Sequence, residues 1–489
     1  MHGHNPPTST ARPTRFRSLI SAPDLRGALK RLSTLAARRE AALLALLLAL
    51  TLVRGLVYMS IVPPWQVPDE PYHFYSAWLP LLPPAPHTDA AWRSLQTEIA
   101  ATMLQFHHWD YTVFEQSPQG TGDKRARLEA AAATRRPATP RAFSYYLLAI
   151  ALRLVQGQDI LLQLYWARLW SVLTNLSIIL LAVIAGRLLF RGDPFGSWLL
   201  PLLIVLHPKH TFILAGVNDG NIAELFASAA IVTLIALICS RLRWRWLPVA
   251  LVFAALAVAA KPTAAFLIPV LMVVIASVAW RRLPTPWRWG VIIAGLLCLA
   301  GLFVAVPRLS NEVHALERYV NREGWPAFLN AFATFPLRRG ALWAFQSFWA
   351  HLGWESLPIR DELVWILLLL TGLAGLGWLG LIRRFVTKKA WSAEDKPIWH
   401  AFWIFVLMVI MLGVFAALKG VTVKEDLFVG RYFLMTMIPI AGLLVIGWRE
   451  LLPPTWRREG LAFFVSFLLL FDTVTLLWYV IPFFYPLWR

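Results

Sequence analysis

Residues 41–62 read AALLALLLALTLVRGLVYMSIV, and residues 63–74 continue as PPWQVPDEPYHF. A helix of about 20 apolar residues crosses a hydrocarbon core of about 30 Å with every backbone N–H and C=O satisfied inside itself. The first stretch is therefore read as a membrane span. It is too long for the apolar segment of a cleavable signal peptide and ends without a small-residue cleavage motif, so it is expected to stay in the chain. Before it, residues 1–40 begin polar and then place Arg26, Lys30, Arg31, Arg38 and Arg39 among Leu and Ala, as a basic interfacial helix does.

The rest of the chain repeats the theme. Of 489 residues, 58% are hydrophobic and 15% charged, with a mean hydropathy of +0.58, so the solvent this chain needs is lipid. Further spans are read at about 165–187, 195–214, 221–240, 246–260, 263–280, 289–306, 362–382, 399–418, 431–448 and 460–481, making eleven in an all-α polytopic fold. The net charge of +19 could suggest nucleic acid, but the basic residues sit in short clusters between apolar runs rather than along a stripe beside exposed aromatics, and no nucleic-acid partner is expected. With the N-terminus cytoplasmic, Arg187/Arg191, Arg241/Arg243/Arg245, Arg281/Arg282/Arg288, Arg383/Arg384/Lys388/Lys389 and Arg449/Arg457/Arg458 all fall inside, in accord with the positive-inside rule.

The apolar stretch Phe143–Val155 is laid along the outer interface, because counting it as a span would move every later arginine cluster outside. Residues 41–489 then form one transmembrane domain of a cell membrane, with extracytoplasmic segments at 63–164, 307–361 and 419–430. Lys124–Arg141 is read as a helix followed by a mobile loop. Tryptophans near span ends, such as Trp65, Trp166, Trp354 and Trp478, are assigned to interfacial belts. Cys239 and Cys298 lie inside apolar runs and are expected as free thiols. No fixed-period repeat, Walker-type phosphate loop or Rossmann glycine signature is present, which disfavours a nucleotide-sugar substrate.

Asp69 and Glu70 sit between Pro68 and Pro71 directly after the first span. Two carboxylates on a stiff turn at the membrane surface suit a general base; they also suit an interfacial turn in which Asp69 caps the next helix. The first loop and three later strings together resemble the C-type superfamily of polyprenyl-phosphate-sugar-dependent membrane glycosyltransferases. The string Pro68-Asp69-Glu70-Pro71-Tyr72-His73-Phe74 is closer still to a bacterial family of predicted membrane proteins grouped with them. Arg168-Leu169-Trp170-Ser171-Val172-Leu173, Ser347-Phe348-Trp349-Ala350-His351-Leu352-Gly353-Trp354 and Gly430-Arg431-Tyr432 are similar to the other short patterns of that group, in the same order.

The resemblance implies catalytic roles for Asp69, Glu70 and a second-loop acid, for which Asp219 in Gly216-Val217-Asn218-Asp219-Gly220 is the candidate. The same string also reads as an Asn-Asp-Gly turn at a helix start. Candidate substrate contacts are His73, Lys209, His210, Lys261, Arg431, Tyr432, His351 and Glu355. Arg431 can clamp a phosphate through two N–H donors, whereas a lysine acts as a point charge; membrane anchoring is the plainer reading of each cation. His351 and Glu355, four apart, are expected to share a helical face. If a divalent cation such as Mg²⁺ or Mn²⁺ takes part, Asp69 and Asp219 are its candidate ligands. Asp472 lies inside the last span and calls for a partner that the sequence does not name.

The expected partners are the bilayer, a polyprenyl-phosphate-linked sugar and a glycan, lipid or protein acceptor. The expected reaction is transfer of the sugar to an acceptor hydroxyl at the extracytoplasmic face, with inversion. The rival is a transporter or flippase of lipid-linked saccharides, which would favour midplane sites on broken helices and inverted repeats. A non-catalytic scaffold is a third reading, and it needs no acidic loop.

Overall fold

The computed structural model describes residues 22–82, 89–111, 142–240, 245–282, 284–305, 307–387, 395–423 and 429–485, with isolated positions between 126 and 137. The chain divides into two compact units, Met1–Ala49 and Leu50–Arg489, and the description below concerns the second. The segment 124–141 and the side chain of Cys298 lie outside the described residues; Cys239 is a free thiol.

The helices are α1 (Ala22–Ile61), α2 (Glu70–Trp78), α3 (Asp89–Gln105), α4 (Phe143–Leu152), α5 (Ile160–Leu189), α6 (Pro194–Val205), α7 (Pro208–Leu214), α8 (Asp219–Cys239) and α9 (Trp246–Ala260). They continue as α10 (Leu267–Arg282), α11 (Thr285–Ala305), α12 (Pro307–Glu323), α13 (Trp325–Ala333), α14 (Leu337–Ala350), α15 (Asp361–Thr387), α16 (Asp395–Val423), α17 (Met437–Leu451) and α18 (Arg457–Val474).

Among the described residues, eight helical segments are long and apolar enough to cross a bilayer: 38–61, 160–189, 219–239, 262–281, 361–387, 395–422, 430–451 and 454–484. The span read at 195–214 is broken. Its two parts, α6 and α7, meet at 55°, because Pro208 cannot continue α6 and His207 caps α7 by accepting the His210 amide on its ring. The span read at 246–260 corresponds to a shorter apolar helix, Trp246–Ala260, and the span read at 289–306 falls on α11, a helix of 21 residues. The first of these has 15 residues, about 22 Å of rise, because Lys261-Pro262 stops it and a 3₁₀ turn follows before α10. Among the described residues, the eleven expected spans thus fall on eight full-length apolar helices, one broken span, one shorter helix and α11.

Phe143–Val155 does not cross. The Arg168 guanidinium, in the third turn of α5, donates to the carbonyls of Met59, Val62 and Pro63 where α1 ends, so the end of α1 and the start of α5 lie together and the chain between them returns to the same side. Trp65 is not in an interfacial belt either. It is fully buried, its ring edge-on to Phe74 and its Nε1 donating to Thr102 Oγ1 at 2.9 Å, at the centre of a cluster that includes Trp78, Trp92, Tyr145 and Leu164.

Small residues set the closest helix crossing. Gly377 of α15 and Gly447 of α17 face each other so closely that a Cβ on either would run into the partner backbone. Trp378 Nε1 donates to Leu443 O at 2.8 Å and Trp448 Nε1 to Leu370 O at 2.9 Å across the same contact.

A candidate donor site beside the first loop

The first loop is held by Glu70 and presents Asp69. Glu70 is fully buried. Its Oε1 accepts from Arg168 Nε at 2.9 Å and from the Val217 amide at 3.0 Å, and its Oε2 accepts from Arg168 Nη2 at 2.7 Å. With both oxygens bonded and no exposed surface, Glu70 holds the loop against α5. Asp69, one residue earlier, adopts the left-handed backbone region at φ 61, a conformation Asp tolerates better than most residues. Its side chain is 42% exposed, and its Oδ2 lies 2.9 Å from Arg431 Nη2.

Asp219 begins α8 after Asn218, whose Oδ1 caps the helix by accepting the Gly220 amide at 2.7 Å. The Asn-Asp-Gly string thus lies at a helix start, with Asn218 as its cap. This leaves the Asp219 carboxylate to pair with Lys261 Nζ at 2.7 Å, with His73 Nδ1 at 4.0 Å. His73 Nδ1 also lies 2.8 Å from Tyr145 Oη. Burial lowers the His73 pKa from 6.5 to about 4, against the pull of Asp219 and Asp69 and with the push of Lys261 and Arg431, so the ring is neutral near pH 7. Those four charges surrounding one imidazole place Asp69, His73, Asp219, Lys261 and Arg431 in a single cluster. Tyr432 joins it, its ring 5.5 Å from both Lys261 Nζ and the Arg431 guanidinium carbon.

The remaining candidates form a buried second tier. Lys209 is fully buried, pairs with Glu355 at 2.7 Å and donates to the His351 carbonyl. His210 Nε2 lies 2.7 Å from Glu224 Oε1. His351 and Glu355 do not share a helix. After α14 ends, the Leu352–Leu357 bridge and positive φ at Gly353 and Glu355 turn the chain back, and Glu355 reaches inward to Lys209. Burial and the nearby Lys209 charge lower the His351 pKa to about 4. Asp69 and Asp219 each pair with a cation, and among the described residues no group of three or more acidic, imidazole or thiol side chains could hold a metal.

Two quoted strings meet in space. The Gly430 amide donates to Ser347 Oγ at 2.6 Å, and a Cβ at Gly430 would collide with the backbone of Phe348. The 3₁₀ segment Gly430–Thr436 divides two cavities. On one side is a pocket of about 20 Å³, room for about one water, lined by Asn218, Gly220, Glu224, Lys261, Arg431 and Tyr432, with Ile213, Leu434 and Met435 as its apolar wall. On the other is an apolar groove of about 370 Å³, bounded by Phe345, Phe348, Trp349, Phe433, Ile440 and Leu443 among others.

Sequence reasoning missed Glu224, Arg168 as the loop's anchor, and Tyr145. Glu224 was findable, being an acid inside an apolar run. Asp472, whose partner the sequence withheld, meets Arg54 of α1: Arg54 Nε donates to Asp472 Oδ2 at 2.8 Å, and Tyr58 and Thr211 complete the buried group.

The model of a family described as "Predicted membrane protein (DUF2142)" matches residues 52–443. A search of curated proteins gives no match. Among solved structures, the crystal structure of ArnT from Cupriavidus metallidurans bound to undecaprenyl phosphate aligns over 84% of this chain and 78% of that one, at 15% identity and a TM-score of 0.30.

Proposed function

The chain belongs to this predicted membrane protein family, DUF2142, and we propose that it transfers a sugar from a polyprenyl-phosphate donor to an acceptor hydroxyl at the membrane surface. The observation that carries the reading is the pairing of Asp69 with Arg431 and Asp219 with Lys261, with both cations lining one small pocket and Phe433, two residues on from Arg431, lining an apolar groove. An amphiphile with an anionic joint suits that arrangement: the prenyl tail in the groove, the phosphate on Arg431 and Lys261, and the sugar on the open side where Asp69 is 42% exposed.

When the donor phosphate arrives, it competes with Asp69 for Arg431. A guanidinium that moves to the phosphate releases the carboxylate beside the reaction centre. Asp69 then takes the proton of the acceptor hydroxyl as that oxygen bonds to the anomeric carbon. The bond from that carbon to the phosphate oxygen breaks with inversion, and its electron pair stays on the lipid phosphate, where Arg431 and Lys261 stabilise it. His73, neutral and held by Tyr145, packs against Asp219 and keeps the Lys261 pair in place.

The test is transfer of radiolabel from a panel of polyprenyl-phosphate sugars to acceptor extract by the reconstituted full chain. Removing a general base costs about 10²–10⁴-fold, so Asp69→Asn should lose transfer by that factor while inserting normally. A fully active Asp69→Asn protein rules out the assigned base. The broken span α6–α7, with buried Lys209 and His210, is the one feature that suits a transporter. Label that crosses the bilayer still attached to its lipid, with none passed to an acceptor, would favour that rival.

A further inference from the structure

The apolar groove has α14 along one side and is walled by the spans α15, α16 and α17, which contribute Trp378, Val409 and Ile440. On α14 the lining residues Ala341, Phe345 and Phe348 are four and three apart, the spacing of one helical face. Three residues before Ala341, Arg338 continues that stripe past the end of the groove. Arg338 is exposed, and among the described residues no acidic side chain pairs with it. Its neighbour Arg339 is exposed too but stands about 100° further round α14, off the stripe.

The same helix leads from this arginine to the site. Ser347, about 14 Å further along α14, takes the Gly430 amide, and Arg431 follows Gly430 in the chain. On α13 and the start of α14, Trp325, Leu329, Leu337 and Leu342 are each about half exposed or more. In a chain that crosses the membrane, Trp and Leu beside Arg mark a surface lying among lipid head groups. The groove is single, so it takes one chain, whereas a phospholipid brings two. We propose that Arg338 is the entry contact of the donor lipid: its guanidinium holds the phosphate of a polyprenyl chain entering the groove, before that phosphate passes to Arg431. The proposal rests on the reading of the Arg431 cluster as a lipid-phosphate-sugar site and adds the route into it. Snorkelling to any head group is the plainer role of an interfacial arginine, and it makes no distinction between Arg338 and Arg339.

In the experiment the full chain in phosphatidylcholine nanodiscs is titrated with undecaprenyl monophosphate, and occupancy is read by native mass spectrometry. Arg431→Gln should weaken binding about tenfold, the worth of one charge-assisted contact, and what remains should be lipid held at Arg338. Adding Arg338→Gln should cost roughly a further tenfold, whereas adding Arg339→Gln should change the residual binding by less than about twofold. Gly413 lines the groove, and no atom lies within 4 Å of where its Cβ would stand. Gly413→Leu should therefore block the chain and weaken the residual binding as much, and it serves if the double arginine variant does not fold. An equal mole fraction of phosphatidylglycerol should displace nothing. Equal losses with Arg338→Gln and Arg339→Gln, no loss with Arg338→Gln or Gly413→Leu, no residual binding in Arg431→Gln, or displacement by phosphatidylglycerol overturns the proposal and leaves the Arg431 site standing. Binding indifferent to Arg431→Gln, or absent from wild type, overturns the donor-site reading beneath it and the route with it.

Discussion

At the two ends of the segment Gly430–Leu451 the chain uses one chemistry, arginine on carboxylate, in two ways. Arg431 and Arg449 are separated by roughly 30 Å of helix, about the thickness of a hydrocarbon core. At the Arg449 end the pairs are shared. Asp193 Oδ2 takes Arg449 at 2.6 Å and Arg457 at 3.0 Å, and Glu450 Oε1 takes Arg384 at 2.8 Å and Arg449 at 3.3 Å, with Arg384 also on Asp395 at 2.9 Å. That belt fastens the starts or ends of α6, α15, α16, α17 and α18 to one another. At the Arg431 end each carboxylate holds one lysine or arginine, Asp69 with Arg431 and Asp219 with Lys261, and each cation also lines the pocket. A shared network resists the loss of any single bond, whereas a simple pair can exchange its partner for a ligand.

The sharpest test of this contrast is Arg431→Lys, which keeps the charge but removes the two-pronged grip on phosphate. It should lower kcat/KM for transfer by about 10²-fold with an unchanged melting temperature; the matched change Arg449→Lys should leave transfer within twofold. Equal effects on transfer would erase the distinction. Next in size, Asp193→Asn should strand two arginines that are 13% and 22% exposed, lowering the melting temperature by several degrees while kcat stays as it was. A drop in kcat at unchanged stability would mean that the belt takes part in the chemistry.

The smallest effect concerns pH. The His73 pKa is about 4 in the folded protein and 6.5 in an unfolded chain, so folded His73 refuses a proton that the unfolded chain accepts. Its contribution to stability is complete above pH 6.5 and is lost progressively as pH falls toward 4, on the order of 3 kcal/mol in all. His351 acts in the same direction. His73→Gln should flatten the fall in melting temperature between pH 6.5 and 4, and an unaltered profile would contradict the burial argument.

The ends of the spans could be read because hydropathy and charge are local properties. The clusters that separate at the two ends of α17 are those that the arginine pattern assigned to opposite faces, although the pattern alone says nothing of which residues touch. The partners of Asp69 and Asp219, at 431 and 261, are far off in sequence and are joined only by helix packing. Glu70 and Asp69, adjacent and alike in the sequence, part ways because Arg168 and the Val217 amide take one and leave the other, and no local rule distinguishes them. His351 and Glu355 followed the helical spacing, but the turn at Gly353 overrode it.

The Arg54–Asp472 contact joins residues 418 positions apart, between the first span and the last. During synthesis α1 enters the bilayer long before its counter-charge exists, so its guanidinium must wait near water or lipid head groups until α18 emerges. A product cut short before α18 would carry a bare positive charge in α1.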